Sequence, residues 1–222
     1  VSQTDSFIEE VTEEVRRDRL FALMKRYGWI AVLLVILIVG GAAWNEWRKA
    51  QERSAAQALG DSMLDALQQT DEAARGEALA AIDAPNAGAR ALVDLLVAAE
   101  LAETDPGAAS ERLIALADNA DAATVYRQIA TLKAVSLPGT VLSAEERRTR
   151  LDGLALGQGL TRLLAEEQLA YLDAEAGDTE AALTRLLAIL EDEAVTAALR
   201  RRASQVIVAL GGELPEQPTA TE

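Results

Sequence analysis

The chain has no cysteine and no histidine. Their absence removes thiol nucleophiles, imidazole acid–base catalysis, histidine-containing zinc sites and disulfides together. It does not fix a compartment, because an oxidising space tolerates a cysteine-free chain as readily as the cytosol does. Aromatic residues are scarce at 4%, and alanine and leucine outnumber valine and isoleucine, a mix that favours helices over strands. Positive charge is short as well. The formal charge is −15, and from residue 45 onward 16 basic residues face 30 acidic ones, so the excess of −14 lies there. Such a surface repels phosphate backbones and anionic lipid headgroups, and nucleic acid is not an expected partner. Phosphate-binding loops are missing: "GDTEAA" and "GLALGQG" lack both the loop lysine and a preceding strand. There is no SxxK nucleophile arrangement and no acid cluster with calcium-loop spacing. No catalytic residue, metal ligand or cofactor is therefore assigned, and an enzyme is not expected.

What is present is a long apolar run, "KRYGWIAVLLVILIVGGAAWNEWRK" at 25–49, in a chain of 222 residues. From Tyr27 to Trp44 it holds no charge over 18 residues. Extended to Trp47 it makes about 31 Å of helix, close to the roughly 30 Å of a hydrocarbon core. Tyr27 and Trp29 mark one end and Trp44 and Trp47 the other, the positions where rings with a polar atom meet headgroups. A buried core helix would not be apolar on all faces in a small alanine-rich domain. A cleaved signal is the other alternative, given Gly41-Ala42-Ala43, but the 26 residues before the run are long and acidic for one. An uncleaved transmembrane helix that runs on into the larger C-terminal part is expected. Gly40 and Gly41 are adjacent, not spaced as a helix-dimer motif, and no ionisable residue marks an ion path. Arg16, Arg17, Arg19, Lys25 and Arg26 precede the run, against Arg48, Lys49 and Arg53 after it. That asymmetry puts the N-terminal side in the cytoplasm and the larger part in the periplasm of a bacterial inner membrane.

The segment before the run, "TDSFIEEVTEEVRRDRLFALM", reads as a helix. Asp5 or Ser6 can cap it, and Ser6 with Glu9 has capping-box spacing. Glu13 and Glu14 pair with Arg17 across one turn, and Phe7, Ile8, Val11 and Val15 form a narrow apolar stripe. It is either a solvated cytoplasmic helix or one that docks its stripe on a membrane partner.

From residue 46 onward helical patterns run over about 46–69, 71–82, 87–102, 106–117, 122–136, 143–156, 159–176, 179–192 and 195–210. Breakers separate them at "DAPNAG", "ETDPGA", "DNADAA", "SLPGT" and "AGDTE". Residues 105–139 align without gaps on 178–212, with 11 identities that include Asp105/Asp178, Ala109/Ala182, Arg112/Arg185 and Leu113/Leu186. The offset of 73 is close to two units of roughly 34–36 residues, which suits stacked helix pairs of the tetratricopeptide kind. Each pair leaves an apolar face that its neighbour must cover. The expected fold is all-α: a single transmembrane helix followed by a tetratricopeptide-repeat-like solenoid of helical hairpins. The expected division is a charged cytoplasmic helix at 1–26, the span at 27–47, the periplasmic helical domain at 48–210 and a disordered tail at 211–222.

"FIEEVTEEVRRDRLFALMKRYGW" (7–29), the span, "WNEWRKAQERSAAQAL" (44–59) and "AYLDAEAGDTEAALTRLLAIL" (170–190) together resemble the ancillary subunits of the bacterial SecYEG translocon. The tryptophan and proline that the repeat usually carries are missing from the repeats here. The resemblance implies a periplasmic scaffold or chaperone-like module, with no cofactor, held beside an inner-membrane machine. Its partners would be the lipid bilayer, proteins of an inner-membrane complex and periplasmic polypeptides. The alternatives are an accessory subunit of another inner-membrane assembly, such as a respiratory complex, and an anchored hydrolase. The acid pairs argue little for the last. Glu145-Glu146 reads as a helix start capped by Ser143, and Glu166-Glu167 as a solvated helix face. Asp192-Glu193 sits at a helix end. Arg200-Arg201-Arg202 is expected to pair with Glu191 or Glu193 rather than bind phosphate.

Overall fold

The computed structural model describes residues 3–215, and their side chains from residue 25 on, Ala31 excepted. The described residues form nine α-helices and no strand. They are α1 Gln3–Leu67, α2 Glu72–Ala80, α3 Ala87–Thr104, α4 Pro106–Asp118, α5 Thr124–Ser136, α6 Ala144–Ala155, α7 Gly159–Glu175, α8 Thr179–Glu191 and α9 Ala197–Ala209. The chain divides into two compact units, Val1–Ala58 and Leu59–Glu222, with the division falling inside α1. Side-chain features expected between Asp5 and Arg19 lie outside the described residues. So does the part of the expected tail from residue 216 on.

In the first unit, α1 runs without a break through the apolar stretch. Among the described residues it is the one helix long and apolar enough to cross a membrane. Ile30 and each residue from Val32 to Val39 are exposed by 44–66%, so no part of that stretch finds cover.

The second unit is a duplication. Helices α2 to α5 begin at residues 72, 87, 106 and 124, and α6 to α9 at 144, 159, 179 and 197, an offset of 72 or 73 throughout. The self-similarity of 105–139 and 178–212 is therefore the C-terminal half of a larger, four-helix repeat. Local chemistry repeats with it. Asp105 and Asp178 cap α4 and α8, each accepting from the backbone N–H three residues on at 3.0 Å. Such a cap satisfies one of the orphan donors of a first helical turn and contributes about 1 kcal/mol. Asn119 and Asp192 close the turns after these helices by accepting from the N–H of Asp121 and Ala194. Ser143 and Glu146 form a reciprocal capping box at α6, as their spacing predicts. Gly177 takes φ 84°, which lets the N–H of Asp178 reach back to the Asp173 carbonyl at 2.9 Å and stop α7.

The core is a chain of small clusters, each shared by three successive helices. Ala66, Leu79, Val93 and Val97 join the end of α1 to α2 and α3. Ala91, Leu113, Leu116 and Ala130 join α3, α4 and α5. Val135, Leu151, Leu169 and Leu172 join α5, α6 and α7, and Leu163, Leu186, Ile189, Leu199 and Ile207 join α7, α8 and α9. Fully buried alanines at equivalent places, Ala109 and Ala182, Ala130 and Ala203, let backbones approach, and the leucines fill what remains. No helix pair could bury its apolar face alone, which is why the unit propagates as a stack. Along one side α3 touches α5 and α5 touches α7.

Candidate functional site

On α1, Tyr27, Trp29, Trp44 and Trp47 are all exposed, at 50%, 64%, 66% and 56%. The Trp44 and Trp47 rings lie 5.2 Å apart and tilted by 44°, an arrangement that aromatic quadrupoles favour. The Arg26 guanidinium sits 5.9 Å from the centre of the Tyr27 ring, within cation–π range. Lys25 is exposed like Arg26, whereas the side chains of Arg16, Arg17 and Arg19 lie outside the described residues. The apolar stretch thus carries aromatic rings at both ends and a cationic pair at its N-terminal end.

The second unit carries a groove where its two halves meet. Two cavities, of about 560 and 380 Å³, share Ser136, Gln168 and Tyr171 as walls. The smaller adds Leu132 and Lys133 from α5 and Leu164 from α7. The larger continues past the end of α5 to Arg147 and Glu175. Helical spacing explains the walls. On α5, positions 125, 129, 132 and 136 share a face, and on α7 positions 160, 164, 168, 171 and 175 do. Sequence reasoning had no means to find this groove, because its walls are set by the packing of α5 against α7, more than 30 residues apart.

Beside the groove runs a network of ion pairs that departs from the expected solvated faces. Glu167 is buried, with Arg202 donating from Nε to Oε1 at 2.9 Å and from Nη2 to Oε2 at 2.7 Å. Arg202 therefore reaches from α9 to α7 instead of pairing with Glu191 or Glu193, since adjacent arginines diverge around a helix. The Tyr171 hydroxyl donates to Glu167 Oε1 at 3.0 Å. Burial, with the Glu167 charge and hydrogen bond, pushes that phenol up to about 12. Asp173 is buried as well and accepts from Arg148 at 2.6 Å and Arg185 at 2.8 Å. Burial pushes its carboxyl up, but the two guanidinium hydrogen bonds outweigh that and hold it below its usual range. Arg185 also donates to Glu166 at 2.7 Å, and Arg162 pairs with Asp192. The second pattern repeats: Arg75 to Glu100 and Arg148 to Asp173 are both 25 residues apart, joining α2 to α3 and α6 to α7. Every one of these carboxylates already holds a guanidinium. They tie helices together and leave no pair of free acids among them positioned for proton transfer at a substrate.

Comparison with known proteins agrees with the stacked-hairpin geometry. Residues 23–148 match the family described as tetratricopeptide repeat-like domain. The match begins ahead of the apolar run and ends in α6, so it takes in the first four-helix copy. No curated protein and no solved structure matches the chain.

Proposed function

Because the chain belongs to the tetratricopeptide repeat-like domain family, we propose that it is a membrane-anchored scaffold that binds other proteins rather than transforming them. The observation that carries this reading is one chain holding an uncovered apolar helix with ringed ends and a stacked-helix unit of the kind that offers long binding surfaces. The apolar stretch supports residues 27–47 as a single span, with Tyr27, Trp29, Trp44 and Trp47 at the two headgroup levels. Five basic residues before it against three after support a cytoplasmic N-terminal side and a periplasmic helical unit at the bacterial inner membrane. The anchor then raises the local concentration of the unit beside membrane partners. The likeness of residues 7–60 and 170–190 to ancillary SecYEG subunits supports the translocon as the machine it serves, in a scaffold or chaperone-like role.

Photo-crosslinkers placed along α1 and across the faces of α2–α9 in intact cells test the reading. Adducts with translocon subunits or with translocating polypeptides are the expected result. Adducts confined to one other inner-membrane enzyme would move the protein to that assembly. Lipid adducts alone, with no protein captured from any face, would remove the scaffold function.

A further inference from the structure

Buried residues set the register of the two four-helix copies against each other. Ala91, Val97 and Ala98 of α3 correspond to Leu163, Leu169 and Ala170 of α7 at an offset of 72, and all are buried. After the next turn the offset is 73, which puts Leu113 of α4 on Leu186 of α8. Arg112 then stands where Arg185 stands, and each gives its Nη1 to an acid of the preceding helix, Asp94 at 3.0 Å and Glu166 at 2.7 Å. Arg185 also gives its Nε to the buried Asp173 at 2.8 Å. In the first copy the place of Asp173 is taken by Leu101, and Arg112 has no second acceptor among the described residues. Glu100, one position earlier on α3 and turned by about 100° from Leu101, is held by Arg75 and does not replace it. A second pair is missing in the same way. Arg162 pairs with Asp192 in the second copy, whereas their counterparts are Arg90 and Asn119, and Arg90 makes no ion pair among the described residues.

A cavity of about 510 Å³ lies where the first copy lacks these acids. Asp94 and Leu101 of α3 wall it on one side, and Ala108, Glu111, Arg112 and Ala115 of α4 on the other. On α3, Ala91 and Ala98 face α4 and α5, while Val93 and Val97 face α1 and α2. Asp94 and Leu101, seven residues apart, lie on the helix between those two faces, so the cavity looks out between α2 and α4. No wall comes from α5 or α7, and the cavity is separate from the groove between them. Its sheltered polar end is the Arg112 guanidinium, 33% exposed, with N–H groups to give. An incoming cation would find no acid to spare there, because Asp94 is already held. A carboxylate would take the charge-assisted hydrogen bond that Asp173 takes in the second copy. Glu111 is exposed and works against an anion from the rim; in the second copy its place is held by Thr184.

We propose that the α3–α4 cavity of the first copy is a docking site for an acidic side chain of a partner polypeptide, its carboxylate on Arg112 Nε and its stem on Leu101, Ala108 and Ala115. The second copy fills the same place from within its own chain, through Asp173, so one copy is closed and the other is open to a partner. This rests on the protein-binding reading and adds to it the face that binds and the group it recognises.

The test uses the full chain in nanodiscs and twelve-residue peptides, acetylated and amidated, with one central glutamate and the other positions varied among uncharged residues. A matched pool carries glutamine at the centre, and a third pool carries that glutamine with a free C-terminal carboxylate. Binders from the glutamate pool should lose affinity at least about tenfold on Arg112→Gln, the loss of one charge-assisted hydrogen bond. Leu101→Asp, which supplies internally the carboxylate that Asp173 supplies in the second copy, should weaken them as much, with folding checked by its melting curve. Glu111→Thr, an exposed position where misfolding is not at issue, should tighten them. Ile129→Glu, on α5, should leave them unchanged. No binder in the glutamate pool, equal binding by the glutamine pool, binding by the free-terminus pool alone, or binders indifferent to Leu101→Asp and Glu111→Thr would each overturn the docking of an acidic side chain. Crosslinks to proteins from other faces in intact cells would in that case leave the scaffold reading standing. Their absence from every face would end the scaffold reading by itself.

Discussion

Asp173→Asn isolates what the buried ion pairs contribute. The carboxylate is 7% exposed and accepts one hydrogen bond from Arg148 at 2.6 Å and one from Arg185 at 2.8 Å. Hydrogen bonds to a charged group contribute about 1.5–3 kcal/mol each. Asparagine keeps the shape and one acceptor oxygen, so one bond is lost and the other passes from a carboxylate to an uncharged amide acceptor. Both guanidiniums are about a third exposed, and Arg185 retains Glu166, which softens the penalty of leaving them unpaired. The net cost is about 2–3 kcal/mol, or a fall in melting temperature of about 5–10 °C for a unit of this size. Its pH dependence has a fixed sign. Asp173 is held below 3.8, so its stabilisation is complete above that value and fades as pH falls through the lowered folded value. The gap between wild type and variant should be full at neutral pH and narrow as pH falls below 3.8 and Asp173 takes up its proton. Asp118, Glu146 and Asp192, which are also lowered, are common to both proteins and cancel in the difference. Thermal melts followed by circular dichroism on the full chain in detergent read this out. A melting temperature unchanged at pH 7, or a gap as wide in acid as at neutrality, would refute the claim that this carboxylate ties α6, α7 and α8 together.

Leu186→Ala, at a fully buried position shared by α7, α8 and α9, should cost about 2–5 kcal/mol. Leu156→Ala, at a residue 89% exposed, should stay within about 0.5 kcal/mol in the same denaturant titration. At alkaline pH, Tyr171 stabilises the fold below its ordinary value of 10.0, and that contribution is lost as pH rises towards about 12. Difference absorbance of the phenolate should accordingly show one late-titrating tyrosine that Tyr171→Phe removes. Val35→Arg, at the middle of the apolar stretch, should disfavour membrane insertion by about 2.5–3.5 kcal/mol. A variant extracted by alkaline carbonate no more readily than wild type would contradict the assignment of that stretch as the span.

Helix ends were legible in the chain because capping is local. Asp105, Ser143 and Asp178 act on N–H groups three residues away, and Gly177 on its own φ, so spacing alone locates the starts of α4, α6 and α8 and the end of α7. The apolar stretch was legible for a related reason, since length and the absence of charge are properties of consecutive residues. The charged residues were not. Glu166 and Glu167 look alike in sequence, both acids on an amphipathic helix, and the expectation of a solvated face failed for Glu167 because the neighbour that covers it, Arg202, comes 35 residues later.

The sequence by itself therefore determined the helical class, the helix limits, the apolar run and the 105–139 and 178–212 likeness. All of these depend on interactions within one or two turns, or on residue order alone. Only the tertiary structure decided that the likeness extends to four helices, that Asp173 and Glu167 are buried and tied, and that α5 and α7 line a groove. Those features depend on which faces meet across more than 20 residues, and a helix face has no partner until the stack has formed.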